Sequence, residues 1–412
     1  MSGTVRRTLE RYLKQASKAF PALLVTGARQ VGKTTLLRLA AGAGREYVTL
    51  DDPGERQLAL TDPALFLNRH PAPVLLDEIQ YAPGLLPYLK MAIDERSTTG
   101  KVAAGMFWLT GSQQFHLMQG VSESLAGRVA VLDLLGLSRR EALGKATEVV
   151  PFEPPAQCPR TVKGAALDPA ALYALIWRGS MPGVALRPEV DWAMFQASYV
   201  RTYLERDLRD LARVGDETAF LTFLRAAAAR TGQVLNLSEL ARDCSLSTNT
   251  AKAWLSMLVT SGLVYLLEPW STNLHSRIIK TPKLYFLDTG LCCWLTGWSS
   301  PEVLAMGAMS GAILETWVVA EILKSHLHNG RRPQLHYYRD RDGHEVDLLL
   351  FQDGQLLPVE IKRTASPSPR DLKHIDWLRK RDLPVGPGAV LCLAPKPLPL
   401  SPTDNAIPIW AI

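Results

Sequence analysis

The chain has 412 residues, 47% of them hydrophobic and 21% charged, with a net charge of +6 and a pI of about 9.0. That balance excludes a disordered or fibrous protein, and the length exceeds what one compact core organises, so two to four domains are expected. The mild basic excess is compatible with nucleic acid as a partner without demanding it.

The five cysteines, Cys158, Cys244, Cys292, Cys293 and Cys392, contain no C-x-x-C pair. They support neither a zinc site nor a disulfide framework and read as free thiols in a reducing compartment. At the N-terminus, Arg6, Arg7, Arg11 and Lys14 are interspersed with Leu9, Tyr12 and Leu13. This is an amphipathic helical pattern without the apolar block of a signal peptide. No apolar run approaches bilayer length, so a cytoplasmic protein with no membrane partner is expected.

The apolar run Leu23-Leu24-Val25 leads into Gly27-Ala28-Arg29-Gln30-Val31-Gly32-Lys33-Thr34-Thr35, and a helical pattern follows at once. Gly27, Gly32, Lys33 and Thr34 have the spacing G-x-x-x-x-G-K-[ST] of a phosphate-binding loop. The glycines let the backbone curl until several N–H groups face one anion, and the following helix adds its positive end. Lys33 would reach the terminal phosphates and Thr34 would hold Mg²⁺.

Glu46 to Leu50 reads as a second strand. Pro73-Val74-Leu75-Leu76-Asp77-Glu78 is an apolar run ending in acids, as a buried parallel strand would deliver carboxylates to the edge of a sheet. Asp77 is expected in the Mg²⁺ shell and Glu78 as the general base. Met106 to Gln113 is a further apolar strand, with Ser112 and then Gln113 as readers of the terminal phosphate. Arg128, at the head of a strand Val129–Leu134, is a candidate sensor or trans-acting arginine finger.

These segments together resemble an AAA-type ATPase domain, in the pattern of a prokaryotic family with a C-terminal domain of unknown function. The resemblance implies a parallel sheet flanked by helices (a P-loop NTPase α/β fold) over residues 1–145, and ATP as the nucleotide.

Val150 to Pro169 is proline-rich and opens a linker and helical region, 146–225, with helical spacing over Ala170–Trp177 and Trp192–Val214. Leu237–Arg242 and Leu246–Leu255 have a helix–turn–helix rhythm, and Ser261–Leu267 supplies a strand. The stretch 226–280 resembles a winged helix with Thr248, Asn249 and Lys252 outward. A packing module is an equal alternative, because that face carries only one lysine.

Residues 281–412 begin with a strand pattern at Lys283–Asp288 and continue with a helix from Gly311 to about Leu327. Strands follow at Gln334–Arg339, Glu345–Leu350 and Leu357–Lys362. Glu315 on the helix, Asp347 on one strand and Glu360-x-Lys362 on the next resemble the PD-(D/E)xK core of restriction-type nucleases. Asp347 and Glu360 would hold Mg²⁺, Glu315 would complete its shell, and Lys362 would orient water or stabilise developing charge. Arg339, Arg341 and Arg363 would suit a DNA or RNA backbone. The tail from Ser366 carries no chemical signature. Three functions stay open: an ATP-gated nuclease, a non-cleaving ATP-switched DNA-binding regulator, and a protein-interaction switch. An oligomer is compatible with each.

Overall fold

The structure is a computed structural model; it describes residues 4–98, 103–111, 121, 123–162, 166–204, 217–271, 281–381 and 383–412. The first unit is a parallel sheet of β1 (Ala22–Thr26), β2 (Glu46–Thr49), β3 (Val74–Asp77), β4 (Phe107–Thr110) and β5 (Val129–Asp133), in the order β2-β3-β4-β1-β5. Every residue of β1, β3 and β4 is buried, which is why these strands read as unbroken apolar runs. On one face, Leu9 and Leu13 of α1 (Leu9–Ala19) pack with Leu36 and Leu37 of α2 (Lys33–Ala41) over Leu23 and Val25. The other face is covered by Leu85, Leu89 and Ile93 of the helix Leu85–Thr98. Because all five strands run one way, Thr26, Asp77 and Thr110 end on the same edge.

Helices Pro169–Arg178, Pro182–Ala185, Trp192–Tyr199 and Glu217–Ala228 follow, then Leu237–Asp243 and Thr248–Thr260. Trp254 is buried against Phe220 and Phe223, with ring centroids 5.1 and 5.5 Å away, while Thr248, Asn249 and Lys252 are exposed. A three-stranded antiparallel sheet, β6 (Gln233–Val234), β8 (Lys283–Phe286) and β7 (Val264–Leu267), lies beside them. The boundary expected after residue 280 cuts this sheet. β8 pairs with β6 and β7, so Lys283–Phe286 belongs with the strand at Val264 rather than opening the last unit.

The C-terminal sheet contains β9 (Gln334–Arg339), β10 (Glu345–Gln352), β11 (Gln355–Ile361), β12 (Gly388–Cys392), β13 (Leu398–Pro399) and β14 (Asp404–Pro408). The order is β13-β14-β12-β11-β10-β9, with β9, β10 and β11 an antiparallel meander and β12 parallel to β11. The tail after Ser366 thus builds half of this sheet and the helix Lys373–Arg379. The helix Ser310–Leu327 is buried along most of its length, and one continuous core joins Phe223, Trp254, Tyr285, Trp317, Leu348 and Val359. Among the described residues, no helix is long and apolar enough to cross a membrane.

Candidate nucleotide site and a second acidic centre

The glycine spacing fixes the loop's path. Gly27 (φ 144°) and Gly32 (φ 94°) adopt backbone angles that residues with a Cβ rarely reach, and Gln30 (φ 62°) lies between them in the left-handed region. A Cβ on Gly27 would sit 2.1 Å from the Leu134 carbonyl oxygen, so no other residue fits there. The Lys33 ammonium is buried and donates to the Gly27 and Ala28 carbonyls, both at 2.9 Å. It is thereby held under the loop on the side where phosphates would lie.

Asp77 receives three hydroxyls. Thr34 Oγ1 lies 2.9 Å from Oδ1, Thr110 Oγ1 2.5 Å from Oδ1, and the Tyr47 hydroxyl donates to Oδ2 at 2.9 Å. Burial, reinforced by the Asp77 charge, pushes the Tyr47 hydroxyl up to about 12, so it remains a donor. Thr110 also accepts from the Glu78 backbone N–H at 3.1 Å. Glu78 itself is left-handed (φ 57°), a strained conformation for a residue with a Cβ, and its carboxylate accepts from the Gln80 side chain. The hydroxyl of Thr34 and the carboxylate of Asp77 are hard oxygen donors set side by side, which fits Mg²⁺.

In front of these groups is a cavity of about 490 Å³ lined by Arg29, Gln30, Gly32, Lys33, Thr34, Thr35, Glu78, Pro182 and Thr202. A second, about 240 Å³, shares Gly32, Thr35 and Pro182 with it and continues between Val5, Arg6, Val31, Leu36, Leu39, Leu186 and Arg187. The first has the polar lining a triphosphate needs; the second is of mixed character, with Thr4, Arg7 and Glu10 also in its wall.

The second centre lies on the C-terminal sheet. Asp347 Oδ2 accepts from the Ile361 N–H at 2.8 Å and lies 3.5 Å from Lys362 Nζ, which is 2.5 Å from Glu360 Oε2. Glu315 accepts from the Tyr285 hydroxyl at 2.6 Å and from Lys283 Nζ at 3.1 Å; Lys283 also lies 2.6 Å from Glu345. Burial and then the Asp347 charge push the Glu315 carboxyl up to about 7, against the pull of Lys283. Burial and Asp347 likewise raise Glu360 well above the carboxylate range, against Lys362. Glu360 Oε1 is buried without a hydrogen-bond partner. Asp347 thus raises both Glu315 and Glu360, and one Glu360 oxygen is left without a partner, but the three carboxylates do not close on a single point; among the described residues the ligand atoms that do are those of Asp340, Asp342 and His344.

Residues 19–143 match the family described as AAA domain, residues 170–302 a domain of unknown function (DUF8612), and residues 310–412 another domain of unknown function (DUF4143). The chain is 31% identical over 368 residues to the uncharacterized protein Rv2008c of Mycobacterium tuberculosis and equally to Mb2031c of Mycobacterium bovis; each match covers 88% of this chain and 75% of the relative. The chain belongs to the family of these mycobacterial proteins. Among solved structures it is similar to the Walker-type ATPase PABY2304 of Pyrococcus abyssi, at 15% identity and TM-score 0.45, covering 71% of this chain and 99% of that one. It is also similar to RuvB of Thermotoga maritima, at 16% identity and TM-score 0.30, covering 62% and 88%.

Within the AAA domain the fold brings the loop residues, Asp77 and Glu78 together. It does not bring Arg128 to them. β5 pairs with β1 in parallel, Ala22 opposite Val129 and Thr26 opposite Asp133, so Arg128 lies at the far end of the sheet from the loop. There its guanidinium pairs with both oxygens of Asp94, at 2.7 and 3.1 Å. Ser112 and Gln113 lie outside the described residues. Thr110, Tyr47, Pro182 and Leu186 carry no motif of their own in the sequence, although Thr110 is only two positions from Ser112 in the same strand end. In the DUF4143 region all four expected residues converge, joined by Lys283 and Tyr285 from β8. Arg363 is engaged otherwise, donating to Ser310 Oγ at 2.7 Å.

Proposed function

We propose that this protein is a Mg²⁺-dependent ATPase whose nucleotide state governs a C-terminal nuclease-like centre acting on DNA or RNA. The observation that carries the ATPase reading is the Thr34–Asp77–Thr110 cluster at the mouth of the phosphate loop. Lys33 and the loop amides hold the phosphates, Thr34 and Asp77 hold the ion, and Glu78 orients the attacking water. Mg²⁺ supplies charge neutralisation on the phosphates when bound. The test is ATP turnover: Lys33→Ala and Glu78→Gln should each abolish it, and turnover at the wild-type rate in either refutes the assignment.

The nuclease-like reading is supported by the order helix, antiparallel meander, helix, parallel strand, with Glu315, Asp347, Glu360 and Lys362 on the first helix, the middle strand and the end of the next. The unpartnered Glu360 oxygen favours a cation there. Purified protein should cut plasmid or single-stranded substrates with Mg²⁺ or Mn²⁺, and Asp347→Ala should not. A second reading, an ATP-switched regulator without cleavage, is favoured by the exposed Thr248, Asn249 and Lys252 on a helix whose other face is buried. It predicts a salt-dependent DNA shift altered by ATP, with no cleavage under either metal. No shift of DNA or RNA at low salt would leave the protein-interaction switch.

A further inference from the structure

The segment before α1, the turn after β5 and the end of the helix Ser310–Leu327 meet in one buried charged cluster. Arg7 is 6% exposed, and Glu141 and His328 are 0% exposed. Arg7 Nη1 donates to the Val31 carbonyl at 2.7 Å, and Nη2 donates to the carbonyls of Leu135 (2.7 Å) and Gly136 (3.0 Å). Its Nε lies 3.1 Å from Glu141 Oε2, and His328 Nδ1 lies 3.1 Å from the same oxygen. Glu141 also accepts from the Thr8 N–H at 2.8 Å and the Ser138 N–H at 3.0 Å. His328 Nε2 accepts from the Leu135 N–H at 3.2 Å, so the ring proton sits on Nδ1, beside Glu141 but, like Arg7 Nε, not aligned in a hydrogen bond with it.

Val31 is a phosphate-loop residue between two left-handed neighbours, Gln30 and Gly32. In a planar trans peptide, the Val31 carbonyl and the Gly32 N–H point in opposite directions. By holding that carbonyl outside the loop, Arg7 turns the Gly32 N–H inward, towards the cavity that Gly32, Lys33 and Thr34 line. At the other end of the cluster, Lys324 Nζ donates to the Leu137 carbonyl at 3.1 Å, and the Arg139 N–H donates to Glu321 Oε2 at 2.9 Å. The helix that carries Glu315 is therefore fastened to the segment that Arg7 grips.

We infer that Arg7 is a positioning residue for the phosphate loop, and that Arg7–Glu141–His328 links nucleotide occupancy to the helix Ser310–Leu327. The inference rests on reading the loop as a nucleotide site. Two measurements test it: titration with fluorescent Mg·ATP, and amide hydrogen exchange with and without saturating Mg·ATP. In the wild type, Mg·ATP slows exchange across residues 322–330. His328→Leu binds Mg·ATP within about threefold of wild type but loses that response. His328→Asn, whose amide replaces the Nδ1–H, recovers it. Arg7→Lys keeps the charge beside Glu141 but cannot reach three carbonyls at once; it melts at a lower temperature, yet in samples still folded at the assay temperature by circular dichroism it binds Mg·ATP about tenfold more weakly.

Wild-type exchange that ignores bound Mg·ATP, a response surviving in His328→Leu, or wild-type affinity in Arg7→Lys overturns the inference. Should His328→Leu not fold, Arg7→Lys still decides the positioning role. A wild type that takes up no Mg·ATP refutes the nucleotide site itself, a failure the titration separates from the others.

Discussion

The crowding of Glu315, Glu360 and Asp347 has a direct thermodynamic consequence. The Glu315 carboxyl moves from its ordinary 4.5 to about 7 because it is buried and faces Asp347. A carboxyl raised on folding is protonated in the folded chain and ionised in the unfolded one between those two values, so stability is lost as pH rises through the window. Each pH unit is worth about 1.4 kcal/mol, which puts the loss from this residue at about 3 kcal/mol, lessened where solvent reaches the side chain. Glu360 is raised by the same causes and adds a loss of the same sign. Glu315→Gln removes the ionisation yet keeps an acceptor for Tyr285 and Lys283, and Lys283 retains Glu345 at 2.6 Å. The expected result, from urea midpoints between pH 5 and 8, is a variant that matches wild type near pH 5 and exceeds it by about 3 kcal/mol at pH 8. Saturating Mn²⁺ at pH 8 should narrow that gap, because the variant keeps Asp347 and Glu360 but lacks the third carboxylate and binds the ion more weakly. A variant no more stable than wild type at pH 8, or a difference that does not grow with pH, refutes the reasoning.

Other perturbations separate local from shared effects. Thr110→Val removes the hydroxyl that bonds both Asp77 and the Glu78 N–H, and should cost about 1–3 kcal/mol by chemical denaturation and lower phosphate release by more than about tenfold. Arg128→Ala should leave Mg·ATP affinity unchanged and cost at most about 1 kcal/mol, since its pair with Asp94 is partly exposed. Turnover lost only at concentrations where chains associate would instead reveal a trans-acting role. Lys324→Met removes the ion-pair partner of the buried Glu321, which keeps the Arg139 N–H, and should cost about 1–3 kcal/mol, whereas Lys324→Met with Glu321→Leu should cost less than the sum of the single losses. A double-mutant cycle of melting curves reads the difference, and additive losses would show that the two do not act as a pair.

The parts of this fold that declare themselves in sequence are those where one residue type answers to one backbone requirement. Gly27 and Gly32 mark positive φ, and the unbroken apolar runs of β1, β3 and β4 mark strands buried on both faces. What stays hidden depends on which elements become neighbours. Tyr47 and Thr110 reach Asp77 only because β2 and β4 flank β3, a strand order that no spacing encodes. Lys283 looks like the first residue of an ordinary strand until the helix Ser310–Leu327 sets Glu315 against it. Arg7 reads as one more base on an amphipathic helix, although its guanidinium is buried. Arg128 misleads for the opposite reason: its motif is legible, but the parallel register of β1 and β5 carries it away from the loop.

The helix Ser310–Leu327 is the element on which the proposed coupling between the two centres depends. It is largely apolar, yet its polar side chains engage different parts of the chain. Ser310 accepts from Arg363, Glu315 from Lys283 and Tyr285, Glu321 from the Arg139 amide. Thr316 bonds Thr231, while Ser325 and His326 bond the Phe152 backbone. A helix pinned at so many points cannot yield locally, because moving one contact breaks several buried hydrogen bonds at about 1–3 kcal/mol each. Under the proposed coupling it would shift as one body, and a displacement imposed near His328 would arrive at Glu315 about 20 Å away without being absorbed between them. Charges placed on such a helix destabilise the chain relative to apolar packing. Their position at the contact with the AAA domain and at the acidic centre, at opposite ends of the helix, is what a two-state coupling between nucleotide and acids requires.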